Sequence, residues 1–426
     1  MEPGRRYRAQ WVLPVEGPPI RKGAVLLGGD GRILAVGSDR DVPSPPGVPD
    51  EDQGQAALLP GLVNCHTHLE LTGFEGLAPE PDFPAWIRRI MALKAGRTPE
   101  QLLAQARQGV RDCWAAGITT VADTGDSGAV IQALAELGGS GIAYHEVFGP
   151  HPDQLEASMA NLERQLDRLA RFTGPRIRLG VSPHAPYSVS GPLYARAAAV
   201  ARARSLPLAV HIAESVEESR LLDTGTGAFA VAWVERGIPL PTPPGDTPLA
   251  WLDRHRVLGP DTLCIHCVQA GPADLDRLVH HRAAVAHCPR SNDRHRHGVA
   301  PLAGFRARGL RVGLGTDSVG SVAPLDLRGE AVLAGRLAGL AAPELIRMLT
   351  LDGARALGLD REIGSLAPGK WGDLLVLDLP EAVDAGSLED TLLSRLRGHV
   401  RLTLVGGHAV FRRDQTATGS ALRHPS

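Results

Sequence analysis

Lysine is almost missing from this chain of 426 residues, with only Lys22, Lys94 and Lys370 among 45 basic side chains. Nearly all of its positive charge is arginine, which reads as a bias of source composition more than of function. An excess of either charge is missing as well. The formal net charge is -2, which gives no basis for a nucleic-acid or anionic-membrane partner. No apolar run approaches the roughly 20 residues of a membrane span. Met1 to Tyr7 lead into polar, proline-rich sequence without the apolar core of a signal peptide. Cysteine is scarce and odd in number, five in all, which argues for a reducing compartment over a disulfide framework. A cytoplasmic protein is expected.

What is present is ordinary globular composition, 43% hydrophobic and 22% charged, in a chain longer than one simple core usually supports. From residue 57 short apolar runs alternate with longer helical stretches. The runs are Leu62 to His68, Ile118 to Asp123, Ile142 to Phe148, Ile177 to Pro183, Leu208 to Ala213, Thr262 to Val268, Ala283 to Cys288 and Val312 to Asp317. Eight continuous apolar strands separated by helices are the pattern of a parallel sheet covered on both faces, closed as a (β/α)8 TIM barrel. Thr98 and Gln101 around Pro99 form a capping box for a helix carrying Leu102, Ala106, Val110 and Trp114 at helical spacing, ended by Gly117. Leu155, Met159, Leu162, Leu166 and Leu169 repeat the pattern as a packing face.

The two ends differ. Residues 1–56 and 364–426 hold short strand-like pieces such as Ala24 to Leu27, Ile33 to Val36, Asp373 to Leu377 and Leu402 to Val405 between glycine turns. Neither looks able to fold alone, so a small composite β-sandwich domain built from both termini is expected beside the barrel of residues 57–363. Pro239 to Pro248 reads as a rim loop.

The polar residues at strand ends carry the chemistry, because barrel enzymes build their sites there. The first run ends in His66-Thr67-His68, which puts two imidazoles on one face of a strand. Alone the pair proves little, since such histidines also occur as satisfied core residues. The fifth run adds His211, the sixth His266 and the eighth Asp317. His66, His68, His211 and Asp317 form a nitrogen and oxygen ligand set for one divalent metal, zinc ahead of ferrous iron, with a position left for water. No lysine lies in any of the eight strands, which removes a carbamylated lysine and with it a two-metal bridge. Glu214, three residues after His211, stands where a carboxyl group shuttles protons or, more plainly, where it favours a helix N-terminus. Cys264-Ile265-His266-Cys267 is not read as a zinc or redox motif, since its cysteines face opposite sides of a strand. His295-Arg296-His297 is read as loop sequence.

Leu59-Pro60-Gly61-Leu62-Val63-Asn64 before His66-Thr67-His68, Ser182-Pro183-His184-Ala185-Pro186-Tyr187, His211-Ile212-Ala213-Glu214, His287-Cys288-Pro289-Arg290-Ser291-Asn292 and Gly315-Thr316-Asp317-Ser318 together resemble the amidohydrolase superfamily. The likeness covers almost the whole chain and points to the cytosine, adenosine and S-adenosylhomocysteine deaminase branch. His66 to Leu71 and Phe83-Pro84-Ala85-Trp86-Ile87 look most like the aminodeoxyfutalosine deaminases of menaquinone biosynthesis.

The resemblance implies that Glu214 is the proton shuttle, that His266 orients the metal-bound water, that Asp317 is both ligand and base, and that His184 contacts substrate. Ammonia is then expelled from an adenine-type nucleoside by a metal-bound hydroxide. Aminodeoxyfutalosine stands first as substrate, then S-adenosylhomocysteine and methylthioadenosine. Its carboxylate calls for an arginine, for which Arg88, Arg89 and Arg290 are candidates, and Glu70 and Trp86 are candidates for sugar and base contacts. Each also has a plain reading, solvent-facing charge for the arginines, packing for Trp86 and ordering of the first loop for Glu70. The alternatives are triazine or cyclic-amide hydrolysis on the same scaffold, and a non-catalytic barrel that binds metal or nucleoside. The protein partner this reading allows is a second copy of the chain, as a homodimer.

Overall fold

The computed structural model describes residues 3–241 and 245–413. Part of the Pro239 to Pro248 loop and the end of the 364–426 segment therefore lie outside the described residues. Among the described residues, no helix is long and apolar enough to cross a membrane.

The eight expected runs form one parallel sheet in sequence order: Leu62–Thr67, Ile118–Gly125, Gly141–Val147, Ile177–Pro183, Leu208–Ile212, Thr262–His266, Ala284–His287 and Arg311–Leu314. A parallel bridge from Thr67 to Asp317 joins the first strand to the segment following the eighth, which makes the sheet a barrel. Nearly every strand residue is buried, as expected when side chains face either the barrel interior or the surrounding helices. Val63, Cys65, Ala122, Ile142, Ala209, Leu263, Ile265 and Ala286 fill the interior, so the barrel is a packed core.

The Thr98 capping box is present at the helix Pro99–Ala115, with Gln101 returning a hydrogen bond to the Thr98 backbone. The second packing face is the helix Leu155–Leu169, which buries Met159, Leu162, Leu166 and Leu169. A third group of apolar side chains, Leu71, Phe74, Phe83, Trp86, Tyr187, Phe229 and Trp233, covers part of the barrel mouth.

Both ends of the chain share the second sheet. Its order runs His408–Arg412, Val400–Val405, Leu374–Asp378, Ala56–Pro60, Pro3–Val12, Ile20–Gly28, Ile33–Ser38, with Asp50–Asp52 added against Pro3–Val12. Ala56–Pro60 lies between the C-terminal and N-terminal strands and pairs antiparallel with Leu374–Asp378. It leads directly into the first barrel strand, so the sheet and the barrel meet at Gly61.

Candidate active site

Closure of the barrel holds the ligand residues. Thr316 N and Asp317 N donate to His66 O at 2.9 and 3.0 Å. Asn64 Nδ2 donates to Thr316 Oγ1 at 2.8 Å, and Thr316 N donates to Asn64 Oδ1 at 3.1 Å. Gly315 makes this approach possible, because a Cβ there would stand 2.7 Å from His66 Cβ. Asparagine 64 is therefore the pin between the first strand and the segment carrying Asp317.

His66, His68 and Asp317 place their ligand atoms within 4.8 Å of one another, as do His66, His211 and His266. His66 Nε2 and His68 Nε2 each lie 3.5 Å from Asp317 Oδ1. Both ring nitrogens of His66 are buried without a hydrogen-bond partner, a costly arrangement for a polar group unless it binds an ion. His68 Nδ1 is 2.8 Å from Thr124 O and His211 Nδ1 is 3.3 Å from His184 O. Each ring thus donates through Nδ1 to a carbonyl and presents a bare Nε2, the usual support behind a metal-ligating histidine.

Burial pushes His66 down to about 4 and lowers His68 and His211, so all three rings are neutral at physiological pH. Burial works against the Asp317 carboxylate, but the imidazoles crowded around it, His66 first, outweigh burial and hold Asp317 well below the usual range. Its Oδ2 accepts from Ser291 Oγ at 2.5 Å and Ser321 Oγ at 3.2 Å. This donor set of three neutral imidazoles and one ionised carboxylate fits one divalent cation.

Glu214 is turned into the same space. Ala213, His266 and Asp317 all have positive φ, at 51°, 73° and 55°, conformations that non-glycine residues hold only where the surroundings enforce them. The buried Glu218 carboxylate enforces the first by accepting from Ala213 N at 2.7 Å and Glu214 N at 3.0 Å. Burial raises the Glu214 carboxyl to about 7, partly offset by His266. His266 Nε2 is 3.5 Å from Glu214 Oε1, and its Nδ1 is 3.0 Å from Asn292 Oδ1.

A cavity of about 630 Å³ opens over this cluster, lined by His68, His184, His211, Glu214, His266 and Asp317 at its floor. One wall is apolar, with Phe83, Trp86, Ile87, Ile90 and Met91. Trp86 is buried and donates from Nε1 to Gly320 O at 3.3 Å. The other wall carries Lys94, Asp126, Ser127, Glu146 and Phe148. A depression of about 830 Å³ at the opposite end of the barrel includes Arg178, Arg202 and Arg311. Arg178 and Arg202 are paired with Glu362 and Asp261, while Arg311 donates to carbonyl oxygens, so none offers a free cation.

Three expectations change. Arg88 and Arg89 are exposed on the outer face of their helix. Arg290 lies against Glu330, with 3.8 Å between charged atoms, and Pro324 O, because its helix turns it away from the mouth. None of the three lines the cavity, whose lining cation is Lys94. Glu70 is buried below the cavity, bonded to Lys94 and Ser127, and therefore orders the first loop. Gly125 makes room for it, since a Cβ there would lie 2.7 Å from Glu70 Oε1.

His295 and His297 are in a loop as expected, but the loop folds back under the apolar wall. His297 packs on Phe83 with ring centroids 4.5 Å apart, and its Nε2 is 3.4 Å from Glu214 Oε1. Sequence reasoning also passed over Glu146. Its position at the end of the third barrel strand was the available signal.

The barrel with its converging histidines and carboxylates defines a metal-site hydrolase of the (β/α)8 type. The Amidohydrolase family model matches residues 57–410, and the chain belongs to that family, hydrolases acting on carbon–nitrogen bonds. Over 423 residues it is 29% identical to a 5-methylthioadenosine/S-adenosylhomocysteine deaminase of Desulfitobacterium hafniense, covering 96% of this chain and 93% of the relative. A 5'-deoxyadenosine deaminase of Methanothermobacter thermautotrophicus is 32% identical over 372 residues, covering 84% of this chain and 81% of the relative.

Among solved structures, a zinc-bound adenosine deaminase of Xanthomonas campestris superposes with a TM-score of 0.81 at 25% identity, covering 96% of this chain and 93% of that one. Helicobacter pylori aminofutalosine deaminase gives 0.82 at 20% identity, covering 96% and 100%. A triazine hydrolase of Arthrobacter aurescens gives 0.80 at 21%, covering 95% and 94%. The last two likenesses show the fold.

Proposed function

We propose that the chain is a metal-dependent hydrolytic deaminase of adenine-type nucleosides with an apolar 5′ substituent. The observation that carries this reading is a buried carboxyl, Glu214, raised to about 7 beside the neutral histidines and the ionised Asp317. An acid tuned to neutral pH is what protonation of a ring nitrogen requires. Replacement of chloride on a triazine has less need of it.

His66, His68, His211 and Asp317 would hold the cation, zinc ahead of ferrous iron. Such an ion supplies a Lewis acid that brings the pKa of a coordinated water from about 16 towards about 7. Asp317, fixed by Ser291 and Ser321, takes a proton from the attacking water. Glu214 gives its proton to the ring nitrogen next to the amine-bearing carbon. His266, fixed through Asn292 and next to Glu214, orients the attacking water. Asp317 passes its proton to the departing amine, which leaves as ammonia, the second water proton returns to Glu214, and the oxygen stays on carbon.

The cavity orders the substrates. Lys94 is already paired with Glu70 and Asp126, so a substrate carboxylate meets no free cation among the lining residues. The apolar wall suits 5′-deoxyadenosine and methylthioadenosine, which places them ahead of S-adenosylhomocysteine and of aminodeoxyfutalosine, the first expectation from sequence. Five free, buried cysteines support a reducing cytoplasmic setting.

The test is ammonia release by zinc-loaded protein from these four nucleosides and chloride release from a chlorotriazine. Turnover is expected first with the 5′-deoxy and methylthio compounds. Glu214→Gln should lower kcat by about 10²- to 10⁴-fold with zinc retained. Chloride release without ammonia release, or unchanged turnover in the variant, would refute the reading.

A further inference from the structure

The catalytic account leaves one buried carboxyl in the cavity wall without a task. Glu146, at the end of the strand Gly141–Val147, is 6% exposed and lines the cavity. Its Oε1 has no hydrogen-bond partner. His184 Nε2 lies 4.0 Å from that oxygen.

The tautomer of His184 follows from its neighbours. Its Nδ1 is 2.7 Å from Ser188 Oγ, and the Ser188 hydroxyl already donates to Ala185 O at 3.0 Å. The ring therefore donates through Nδ1 and shows a bare Nε2. Two acceptors, Glu146 Oε1 and His184 Nε2, face the same space with no donor between them. Buried acceptors placed this way are built for a ligand that brings donors.

The donor inventory of an adenine nucleoside is short. With its amine at the metal ligands, the purine ring has only acceptors left, and its remaining donors are sugar hydroxyls. Glu214 and His266 come from the fifth and sixth strands, whereas Glu146 and His184 come from the third and fourth, on the other side of His211. A purine with its reacting edge at Glu214 sends its sugar towards Glu146, where the cavity continues to Asp126 and Lys94.

We infer that Glu146 and His184 form a clamp for the vicinal 2′- and 3′-hydroxyls of the substrate, so that the enzyme selects ribonucleosides over their dideoxy analogues. The inference rests on the deaminase reading and adds the sugar to it. The other reading of these residues is a second cation, since the ligand atoms of Glu146, His184 and His211 lie within 4.8 Å of one another.

The experiment compares 5′-deoxyadenosine with 2′,3′,5′-trideoxyadenosine on the zinc-loaded full chain. Wild type should favour the diol by about 10- to 100-fold in kcat/KM, the range for a hydrogen bond to an ionisable partner, expressed mostly in KM. Glu146→Ala should bring the ratio of the two substrates close to one, and Glu146→Gln, which keeps an acceptor, should restore part of it.

Equal turnover of the two substrates by wild type overturns the clamp alone and needs no variant. So does a Glu146→Ala enzyme that loses the same factor on both substrates, which marks a structural role. A second equivalent of bound zinc that disappears in Glu146→Ala overturns it in favour of the second cation. Ammonia from neither substrate overturns the deaminase reading, and the clamp with it.

Discussion

Glu214 illustrates how a single residue can serve chemistry at the expense of stability. Burial raises its carboxyl from 4.5 to about 7, so the folded chain holds the proton more tightly than the unfolded chain does. Its contribution favours the folded state below about pH 4.5 and is lost as pH rises to about 7, a change on the order of 3 kcal/mol. Glu214→Gln removes that loss. Denaturant unfolding of the metal-free proteins should show the variant gaining on wild type between about pH 5 and 7.5, and a difference that stays flat with pH contradicts the buried acid. The same burial explains what the sequence displayed and what it hid. His66, His68, His211 and Asp317 were legible because histidine and aspartate at the ends of apolar strands are conspicuous. Glu146 was a single glutamate beside His145 in a mostly apolar run, and its significance comes from a buried carboxyl oxygen without a hydrogen-bond partner, which depends on the fold.

At the level of elements, the strand ends matter more than the strands. Ala213, His266 and Asp317 leave their strands through positive φ, which points Glu214, the imidazole and the carboxylate into one space. Ala213→Gly tests this directly. An ordinary buried alanine-to-glycine change costs about 1 kcal/mol, but here glycine relieves a left-handed backbone worth roughly the same. Thermal unfolding should show a change within about 0.5 kcal/mol of zero; a loss of 1 kcal/mol or more contradicts the strain. The eight runs were readable from apolar continuity, and two helices from capping and spacing. The ten-residue strand Pro3–Val12 was not, because three of its residues are arginines, and Arg6 is buried only through distant partners, Val42 and Asp50. Lys94 and His297 were missed for a related reason: they enter the site from a helix and a loop, outside any account confined to strand ends.

For the whole molecule, the shared terminal sheet makes the two ends interdependent. We propose that the expected division into residues 1–56, 57–363 and 364–426 holds with its first limit moved to Pro60, because Ala56–Pro60 belongs to the shared sheet, and with the first and last segments forming one unit. Ending the chain at residue 363 strips Leu374–Asp378 from Ala56–Pro60 and leaves a buried apolar strand with an open edge. Such edges pair with other chains, so the truncated protein should elute as aggregate in size-exclusion chromatography, and a soluble, zinc-binding monomer contradicts the shared sheet. The central claim is that this fold replaces the amine of an adenine nucleoside with oxygen from water. Mass spectrometry of methylthioadenosine treated with zinc-loaded protein in heavy-oxygen water tests it most directly. The prediction is a hypoxanthine nucleoside with its glycosidic bond intact, one heavy oxygen on the ring and an equal amount of ammonia. Free adenine, or unchanged nucleoside under zinc-saturated conditions, contradicts it.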